Sequence, residues 1–230
     1  MLSLVILGGG KGIRLKKLTN RSKILVPIFG KPLLEHNLIE YKKIKEKFLI
    51  INHKQVDIKE FIKKKSYKNI KILNEKKHLG DGGALYNLQK VKNYKNKDFL
   101  VVYGDLISSV DYKKFYEFHK KHKAKISIIA HPNTHPLDSD LVDIDHKNKV
   151  NRFYFKPHKK KNIGNLALSG IYIINGKLIE NISNKKQKLK NILNQNIKDI
   201  YIYRSREYIK DLGTPERLRI VRSKLSIKKS

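Results

Sequence analysis

The residues best suited to chemistry stand directly after the first apolar run of the chain. Residues 8–12 read Gly-Gly-Gly-Lys-Gly, and Arg14 and Lys23 follow them. Glycines let backbone N–H groups approach an anion closely, because they carry no side chain to keep it away. Arg14 adds a planar fork of donors that suits phosphate oxygens, and Lys23 adds a point charge. The segment predicts a polyphosphate-binding loop, with a plain tight turn as the alternative.

Two common glycine motifs do not fit this segment. A Walker A loop needs Gly-Lys followed by Ser or Thr, but Lys11 is followed by Gly12. The dinucleotide-binding pattern G-x-G-x-x-G needs a third glycine, and Ile13 or Leu15 stands where that glycine would fall. The predicted phosphate site therefore belongs to neither class.

A carboxylate ends a later apolar run. Residues 99–103 read Phe-Leu-Val-Val-Tyr, and Gly104 and Asp105 come next. Ligands of open α/β sheets bind at the carboxyl ends of the strands. Mg²⁺ prefers oxygen ligands and keeps several of its waters. Asp105 is therefore a candidate magnesium ligand, and the alternative is an aspartate that caps the next helix.

Apolar runs that suit buried strands alternate along the chain with segments of helical periodicity. Strands are predicted at 2–7, 48–51, 70–73, 99–103, 126–130, 141–144, 150–155, 168–174 and 199–203. Helices are predicted at 31–47, 56–62, 82–91, 112–122, 178–182, 189–192 and 214–225. The last helix has Thr214 as its N-cap and Pro215 at its first position.

This alternation predicts an α/β fold with a Rossmann-like, mostly parallel sheet flanked by helices. The polar turn at 145–149 between two strands predicts a small antiparallel addition. One domain over residues 1–225 is the simplest account, followed by a basic tail at 226–230 that frays.

Composition narrows the class of protein. The chain has 230 residues and no cysteine, which excludes disulfides, thiolate chemistry and cysteine-based zinc sites. No apolar stretch approaches the ~20 residues that span a bilayer, and the amino terminus lacks the basic start of a secretory signal. We therefore expect a soluble, cytoplasmic protein.

The formal net charge of +32 has two interpretations. One is a nucleic-acid or anionic-membrane partner, and the other is lysine on the solvated faces of ordinary helices and strands. The positive residues are mostly lysine, they are spread from end to end, and aromatic residues do not alternate with them. The second interpretation is favoured, so nucleic acid is not the expected partner. His119 and His122 are likewise expected on a solvated helix face rather than in a zinc site.

Taken together, the motifs resemble the signature of the sugar-1-phosphate nucleotidyltransferases. The family pattern G-G-x-G-x-R-L, then P-K, then K-P-L is matched by residues 7–15 (LGGGKGIRL), Lys23 and residues 31–33 (KPL). An extra glycine lengthens the loop, and Ser22 replaces the proline that usually precedes the lysine. Further matches are residues 79–84 (LGDGGA), 155–157 (FKP for E-K-P), 168–172 (LSGIY for N-A-G-I-Y) and 208–216 (YIKDLGTPE). The resemblance thus covers almost the whole chain and implies the A-type nucleotidyltransferase fold.

The resemblance implies a role for each matched residue. It makes Arg14 and Lys23 catalytic, Lys156 the ligand of the sugar phosphate, and Asp105 and Asp211 the ligands of Mg²⁺. The nucleotide-binding residues that it implies are Leu7, Gly8, Gly9, Gly10, Gly12, Gly82 and Gly83. The family commonly has Glu or Gln just before its second glycine segment for base contacts. Here Glu75 lies near that position, but Lys77 and His78 lie closer to it, so the resemblance leaves the base open.

Within the family, residues 131–142 and 156–158 look most like heptose-1-phosphate guanylyltransferases. This likeness favours GTP and heptose 1-phosphate as substrates, with an NDP-sugar for cell-surface polysaccharide biosynthesis and pyrophosphate as products. Phe155, Leu168 and Ser169 depart from the family pattern where the sugar is bound. The alternatives are another acceptor (mannose, glucose or N-acetylhexosamine 1-phosphate, or phosphocholine) and a non-catalytic relative that binds nucleic acid. The oligomeric state is left open.

Overall fold

The computed structural model describes residues 1–10, 21–52, 55–67, 69–133, 136–158 and 164–226, with side chains as far as Val221. Three residues of the predicted phosphate loop, Lys11, Gly12 and Arg14, lie outside the described residues. The same is true of residues 227–230 of the predicted basic tail.

Thirteen strands and seven α-helices are found in the described part of the chain. The strands are β1 (Leu2–Leu7), β2 (Pro27–Ile28), β3 (Lys31–Pro32), β4 (Lys47–Asn52), β5 (Ile70–Glu75), β6 (Asp98–Tyr103), β7 (Leu106–Ser108), β8 (Ile126–Pro132), β9 (Leu141–Ile144), β10 (Val150–Tyr154), β11 (Leu166–Asn175), β12 (Ile200–Arg204) and β13 (Ile209–Asp211). The helices are α1 (Leu33–Glu40), α2 (Val56–Lys64), α3 (Gly80–Ala84), α4 (Tyr112–Lys121), α5 (Gly176–Ile179), α6 (Leu189–Gln195) and α7 (Pro215–Ser226).

The chain packs as two compact units. The amino-terminal unit comprises Leu4–His78, Val102–Ser109 and Glu207–Ser230. The central unit comprises Met1–Ser3, Leu79–Val101 and Val110–Arg206. Strands β1 and β6 each contribute residues to both units.

A parallel sheet lies at the heart of the amino-terminal unit. β1 pairs with β4, with Leu7 opposite Ile50, and β4 pairs with β5, with Asn52 opposite Glu75. β1 and β4 are almost continuous apolar runs, as expected for strands covered on both faces. Because the strands run the same way, their carboxyl ends meet at one edge. That edge carries residues 8–10, Asn52 and Glu75.

Two small antiparallel ladders complete this unit. β2 pairs with β3, and β7 pairs with β13 with Asp211 opposite Leu106. The β7–β13 pairing joins segments that are far apart in the sequence. A cluster of buried side chains holds α7 in place, and its members are Val26, Ile28, Leu33, Leu212, Leu218 and Val221.

The central unit mixes parallel and antiparallel pairing. β8 is antiparallel to β11 and parallel to β12, so that Ile128 lies opposite both Tyr172 and Ile202. β9 and β10 form the hairpin that the sequence predicts. α4 packs against β8 and β12, and the ring of Phe115 lies 5.5 Å from that of Tyr203. The predicted α/β fold with parallel strands and an antiparallel addition is confirmed.

Some predicted helices differ in extent from those observed. The helix predicted at 31–47 covers only α1, because Lys31 and Pro32 pair with β2 and residues 41–46 leave the helix before β4 begins. The helix predicted at 82–91 is α3 followed by a 3-10 helix, Leu85–Lys90. No helix among the residues described has the length and apolar content needed to cross a membrane.

The expectation of a solvated face for His119 is wrong. His119 is 2% exposed, its Nδ1 lies 2.8 Å from the hydroxyl of Ser127, and its Nε2 lies 3.6 Å from the carboxylate of Asp98. Asp98 also accepts hydrogen bonds from Tyr116 and Asn175. The arrangement resembles a Ser-His-Asp triad, but its serine is fully buried, so it joins α4 to β6 and β8 rather than meeting a substrate.

Candidate functional site

The glycine loop leaves β1 at the carboxyl edge of the parallel sheet. The backbone N–H of Gly8 donates to the carbonyl of Ile50 at 2.8 Å, and the carbonyl of Gly8 accepts from the side-chain amide of Gln55 at 2.8 Å. A β-carbon on Gly8 would lie 2.9 Å from Cδ1 of Ile24. Gly8 is therefore tightly packed, and this packing fixes the direction in which the loop leaves β1. Leu7, the last residue of β1, is half-buried.

The next glycine makes room for a carboxylate. A β-carbon on Gly9 would lie 2.7 Å from Oε2 of Glu75, whereas one on Gly10 would meet nothing within 4 Å. Glu75 ends β5 and is 2% exposed. A buried acidic group thus lies against the loop that the sequence assigns to phosphates, and Gly9 is the position that accommodates it.

Lys23 and Asp105, which the sequence singles out separately, form an ion pair between Nζ and Oδ2. Lys23 opens a 3-10 turn, Lys23–Leu25, whose other two residues, Ile24 and Leu25, are buried. The side chains of Lys23 and Asp105 are 13% and 29% exposed, so the pair is shielded but still open to solvent on one side. The apolar anchors of the turn hold the lysine at the end of β6.

The β7–β13 ladder brings the second predicted carboxylate to the same place. Asp211 is opposite Leu106, and the N–H of Leu212 donates to the carbonyl of Asp105 at 2.9 Å. Asp105 and Asp211 are therefore neighbours across two paired strands. Both predicted magnesium ligands therefore lie in the same part of the amino-terminal unit.

Asp211 is held in its ionised form. One of its carboxylate oxygens forms an ion pair with Arg217, and the other accepts the N–H of Gly213 at 3.0 Å. Burial by itself raises the pKa of this carboxyl, but the hydrogen bonds from Arg217 and Gly213 and the charges of Arg217 and Lys23 outweigh burial, so the pKa lies below its usual value.

Two carboxylates, Asp105 and Asp211, are the candidate metal ligands in this unit. Within the residues described, no group of three or more His, Cys, Asp or Glu side chains could hold a metal ion. Mg²⁺ is commonly bound through one or two carboxylates together with substrate phosphates and waters, rather than in a cage made only of protein. Asp105 and Asp211 therefore fit Mg²⁺ brought in with a phosphate ligand, and do not form a closed structural metal site.

The second glycine segment lies in the central unit, where it packs against its own chain. The N–H of Gly83 donates to the carbonyl of Gln187 at 3.2 Å. β-Carbons on Gly82 and Gly83 would lie 2.7 Å and 2.5 Å from backbone atoms of Lys188 and Lys185. Close packing alone accounts for glycine at both positions, and the nucleotide contact implied by the resemblance stays a prediction.

Lys156 is exposed at the end of β10 in the central unit. Its ammonium group donates to the carbonyl of Asp138 at 2.8 Å, and its backbone N–H donates to the carboxylate of Asp140 at 2.9 Å. The carbonyl of Asp140 in turn accepts the N–H of Leu168 at 2.9 Å. Asp140 thus links the two segments that the resemblance assigns to the sugar.

The departures from the family pattern are accommodated by local contacts in the central unit. The ring of Phe155 stacks on that of Phe153 with centroids 5.4 Å apart, and the ammonium of Lys190 lies 5.8 Å from the Phe155 ring. Ser169 is buried, and its hydroxyl accepts the N–H of Ile171 at 3.2 Å. Phe155 leaves no acidic group where the family pattern has glutamate, and Ser169 stands where that pattern has alanine.

Sequence reasoning missed the residues that support the site. Gln55 bridges the glycine loop and the backbone of Asn52, and Arg217 holds Asp211. Arg217 reads as an ordinary cation on α7 and Gln55 as an ordinary loop residue. The contact of Gln55 with Gly8 spans 47 positions, for which the local sequence carries no signal, whereas Arg217 lies only six positions after Asp211.

Comparison with known proteins gives a family match over nearly the whole chain. The model of the family described as "Nucleotidyl transferase" matches residues 3–225. The bifunctional protein GlmU of Methanocaldococcus jannaschii is 30% identical over 187 residues, which are 80% of this chain and 43% of that protein. A mannose-1-phosphate guanyltransferase of Saccharomyces cerevisiae is 30% identical over 92% of this chain and 61% of its own length. The chain thus spans about half the length of these relatives.

Solved structures match over the full length. HddC from Yersinia pseudotuberculosis is 28% identical, with a TM-score of 0.82 over 98% of this chain and 100% of that one. The same protein complexed with GMP-PN matches with a TM-score of 0.81. A Bacillus anthracis structure described as a putative glucose-1-phosphate thymidylyltransferase is 21% identical with a TM-score of 0.85, which shows a shared fold.

Proposed function

The chain belongs to the nucleotidyl transferase family, and we propose that it transfers a nucleoside monophosphate from a nucleoside triphosphate to a sugar 1-phosphate. The family match confirms the resemblance drawn from the motifs. The observation that carries the proposal is the carboxyl edge of the parallel sheet. There the glycine loop, the Lys23–Asp105 pair and Asp211 occupy one unit, as a reaction between phosphates requires.

The reaction is an in-line displacement at phosphorus. An oxygen of the sugar phosphate forms a bond to the α-phosphorus of the nucleotide, and the bond from that phosphorus to the bridging oxygen of pyrophosphate breaks. The attacking phosphate is largely dianionic near neutral pH, because its second pKa is about 6. It needs no general base, so the barrier is mainly charge repulsion and positioning.

Positively charged side chains of the protein reduce the repulsion between the reacting phosphates. We assign Lys23 to the oxygens of the departing pyrophosphate, because it is held at the strand ends by a shielded carboxylate. Arg14 and Gly12, which lie outside the described residues, keep the roles predicted from the motif, as do Leu7 and residues 8–10. Lys156 is assigned to the attacking sugar phosphate.

Asp105 and Asp211 would hold the Mg²⁺ that this chemistry uses. When bound, the ion polarises phosphoryl oxygens and orients the reacting phosphates. The protein's part is to keep Asp211 ionised and to orient both carboxylates. Arg217 and Gly213 do this for Asp211, and the β7–β13 ladder holds it beside Asp105.

We propose GTP as the nucleotide. Guanine presents two adjacent donors, N1–H and the 2-amino group, and a carboxylate accepts both at once. Glu75 is the acidic residue against the glycine loop, and the matched HddC structure contains the guanine nucleotide analogue GMP-PN. We assign Glu75 to the base on these two grounds.

We propose heptose 1-phosphate as the acceptor. Support comes from the likeness of residues 131–142 and 156–158 to heptose-specific relatives. The reaction would take place in the cytoplasm, where it would supply an NDP-sugar for cell-surface polysaccharide, and residues 1–225 would act as one catalytic domain.

Pyrophosphate release from a matrix of nucleotides and sugar phosphates tests the proposal. GTP, CTP, UTP and dTTP are each paired with heptose, mannose, glucose and N-acetylhexosamine 1-phosphates, with and without Mg²⁺. The expected result is one Mg²⁺-dependent pair, GTP with heptose 1-phosphate. Asp105→Ala should abolish it, and Asp199→Ala should leave it intact because the Asp199 carboxylate pairs with Lys125 on the surface of the central unit.

The other outcomes assign the alternatives. A different productive pair would replace the proposed substrates while keeping the reaction. Silence across the matrix from folded protein would refute a sugar phosphate as acceptor, and phosphocholine and RNA would then be tested. Salt-sensitive RNA binding without pyrophosphate release would support the nucleic-acid alternative.

A further inference from the structure

Ser22, the residue before Lys23, is tied to helix α2 by two hydrogen bonds. Its backbone N–H donates to Oδ2 of Asp57 at 2.6 Å, and its hydroxyl donates to Oδ1 at 2.7 Å. Asp57 lies in the first turn of α2, where its Oδ1 also accepts the N–H of Ile58 at 2.9 Å. One carboxylate therefore holds both donors of a residue that lies 35 positions away in the sequence.

These bonds hold the backbone of Ser22 in one conformation. Its φ is −54° and its ψ is 137°. A proline ring fixes φ at about −65 ± 15°, so Ser22 has the angle that a proline would impose. A serine has no such covalent restriction, and in a free chain it would sample several conformations. The two contacts to Asp57 supply the restriction.

The conformation of Ser22 determines where Lys23 begins. The N–H of Leu25 donates to the carbonyl of Ser22 at 2.8 Å, which closes the 3-10 turn that carries Lys23. Lys23 then extends from this turn to Asp105. A Ser22 free to rotate would move the first residue of the turn, and with it the ammonium group at the end of a long side chain.

We propose that Asp57 is a positioning residue for Lys23, and that the Ser22–Asp57 pair does through hydrogen bonds what a proline at position 22 would do covalently. The inference rests on the proposed function of Lys23. Asp57 acts through Ser22 rather than on the reacting phosphates. A carboxylate is required because its two oxygens accept two donors, while an asparagine side chain offers one oxygen.

Rescue by proline tests the inference. Asp57→Ala should lower kcat by roughly 10- to 100-fold, because small misplacements of catalytic groups cost up to about 100-fold. Ser22→Pro alone should stay within about threefold of wild type, since the ring matches the observed φ. The double variant Ser22→Pro/Asp57→Ala should recover most of the lost kcat, although it lacks the carboxylate.

A double-mutant cycle with Lys23 distinguishes a positioning role of Asp57 from a structural one. In a Lys23→Ala background, Asp57→Ala should cause little further loss of kcat, because the group that it positions is gone. A merely structural Asp57 would lower kcat by the same factor in both backgrounds. Full activity of Asp57→Ala would overturn the inference. So would a kcat of Ser22→Pro/Asp57→Ala as low as that of Asp57→Ala.

Amide hydrogen exchange tests the same idea without catalysis. Exchange of the Leu25 N–H should accelerate in Asp57→Ala and return to the wild-type rate in Ser22→Pro/Asp57→Ala. If the wild-type protein releases no pyrophosphate, this exchange pattern still shows whether the pair holds the turn, so failure of the proposed function is distinguishable. An unchanged exchange rate of the Leu25 N–H in Asp57→Ala would overturn the inference. If the proline variant fails to fold, the same exchange rate is measured in Ser22→Ala, which removes only the hydroxyl bond to Asp57.

Discussion

Replacing Gly9 by alanine tests whether Glu75 binds the base. The added β-carbon would lie 2.7 Å from Oε2 of Glu75, and ordinary contacts begin at 3.4 Å, so the carboxylate must move by about 0.7 Å (3.4 − 2.7). A hydrogen bond of about 2.9 Å that lengthens by this amount reaches about 3.6 Å and is no longer a hydrogen bond. Because Oε2 is the end of a flexible side chain, the loop itself should keep its backbone.

The expected cost follows from the bonds that guanine would lose. Hydrogen bonds to a charged group contribute about 1.5–3 kcal/mol each, so the loss of one of them should lower kcat/KM for GTP roughly 10- to 150-fold in Gly9→Ala. ITP lacks the 2-amino group and already forms fewer of these bonds. Its kcat/KM should fall less, so the ratio of kcat/KM for GTP to that for ITP should decrease.

Gly10→Ala is the matched control, because a β-carbon at Gly10 meets nothing within 4 Å. It has the same added methyl group on the same loop, and any effect on phosphate binding should apply equally to GTP and ITP. The assay is pyrophosphate release with both nucleotides for the wild type and the two variants, together with their melting temperatures. The reasoning would be refuted if Gly9→Ala kept the wild-type ratio of kcat/KM for GTP to that for ITP. It would also be refuted if Gly10→Ala lowered this ratio as much as Gly9→Ala does.

Three further perturbations address the carboxylates. Asp105→Asn should weaken activation by Mg²⁺ at least about tenfold in a titration of pyrophosphate release, and an unchanged titration would remove Asp105 from the metal site. Arg217→Gln should raise the pKa of Asp211 towards its usual value, so the acid limb of the kcat/KM profile should move to higher pH; a superimposable profile would contradict this. Asp98→Asn should lower the free energy of unfolding by about 2 kcal/mol at pH 7, because the buried carboxylate accepts hydrogen bonds from Tyr116 and Asn175. Burial raises the pKa of Asp98, but the hydrogen bonds and charges of His119, Tyr116 and Lys120 outweigh burial. The pKa therefore lies below its usual value, and the stabilisation is lost as the pH falls through it. The difference in free energy of unfolding between Asp98→Asn and wild type, measured by urea unfolding, should therefore vanish in acid. A difference that stays constant with pH would count against a stabilising role of the ionised Asp98.

Local features were predictable because neighbouring residues encode them. The apolar run of β1 and the glycines after it predict a strand and a loop, and both are observed. Thr214 and Pro215 predict the start of α7, where the hydroxyl of Thr214 accepts the N–H of Arg217 at 3.3 Å. The polar turn at 145–149 predicts the β9–β10 hairpin.

Contacts between residues far apart in the sequence could not be predicted from local patterns. The sequence gives no sign that β13 pairs with β7, because both strands are three residues long and neither has a distinctive pattern. The resemblance alone suggested that Asp211 joins Asp105. Likewise, His119 carries lysines beside it on α4 and reads as exposed, yet the packing of α4 buries it against Ser127.

The sequence by itself determined the α/β class, the family, and the residue types available for phosphate chemistry. Only the tertiary structure decided which groups meet: Lys23 with Asp105, Gly9 with Glu75, and Ser22 with Asp57. The physical reason is that a turn or a cap depends on a few adjacent residues. A contact between distant residues depends instead on which surfaces the whole chain can bury together, and on the entropy of closing the loop between them.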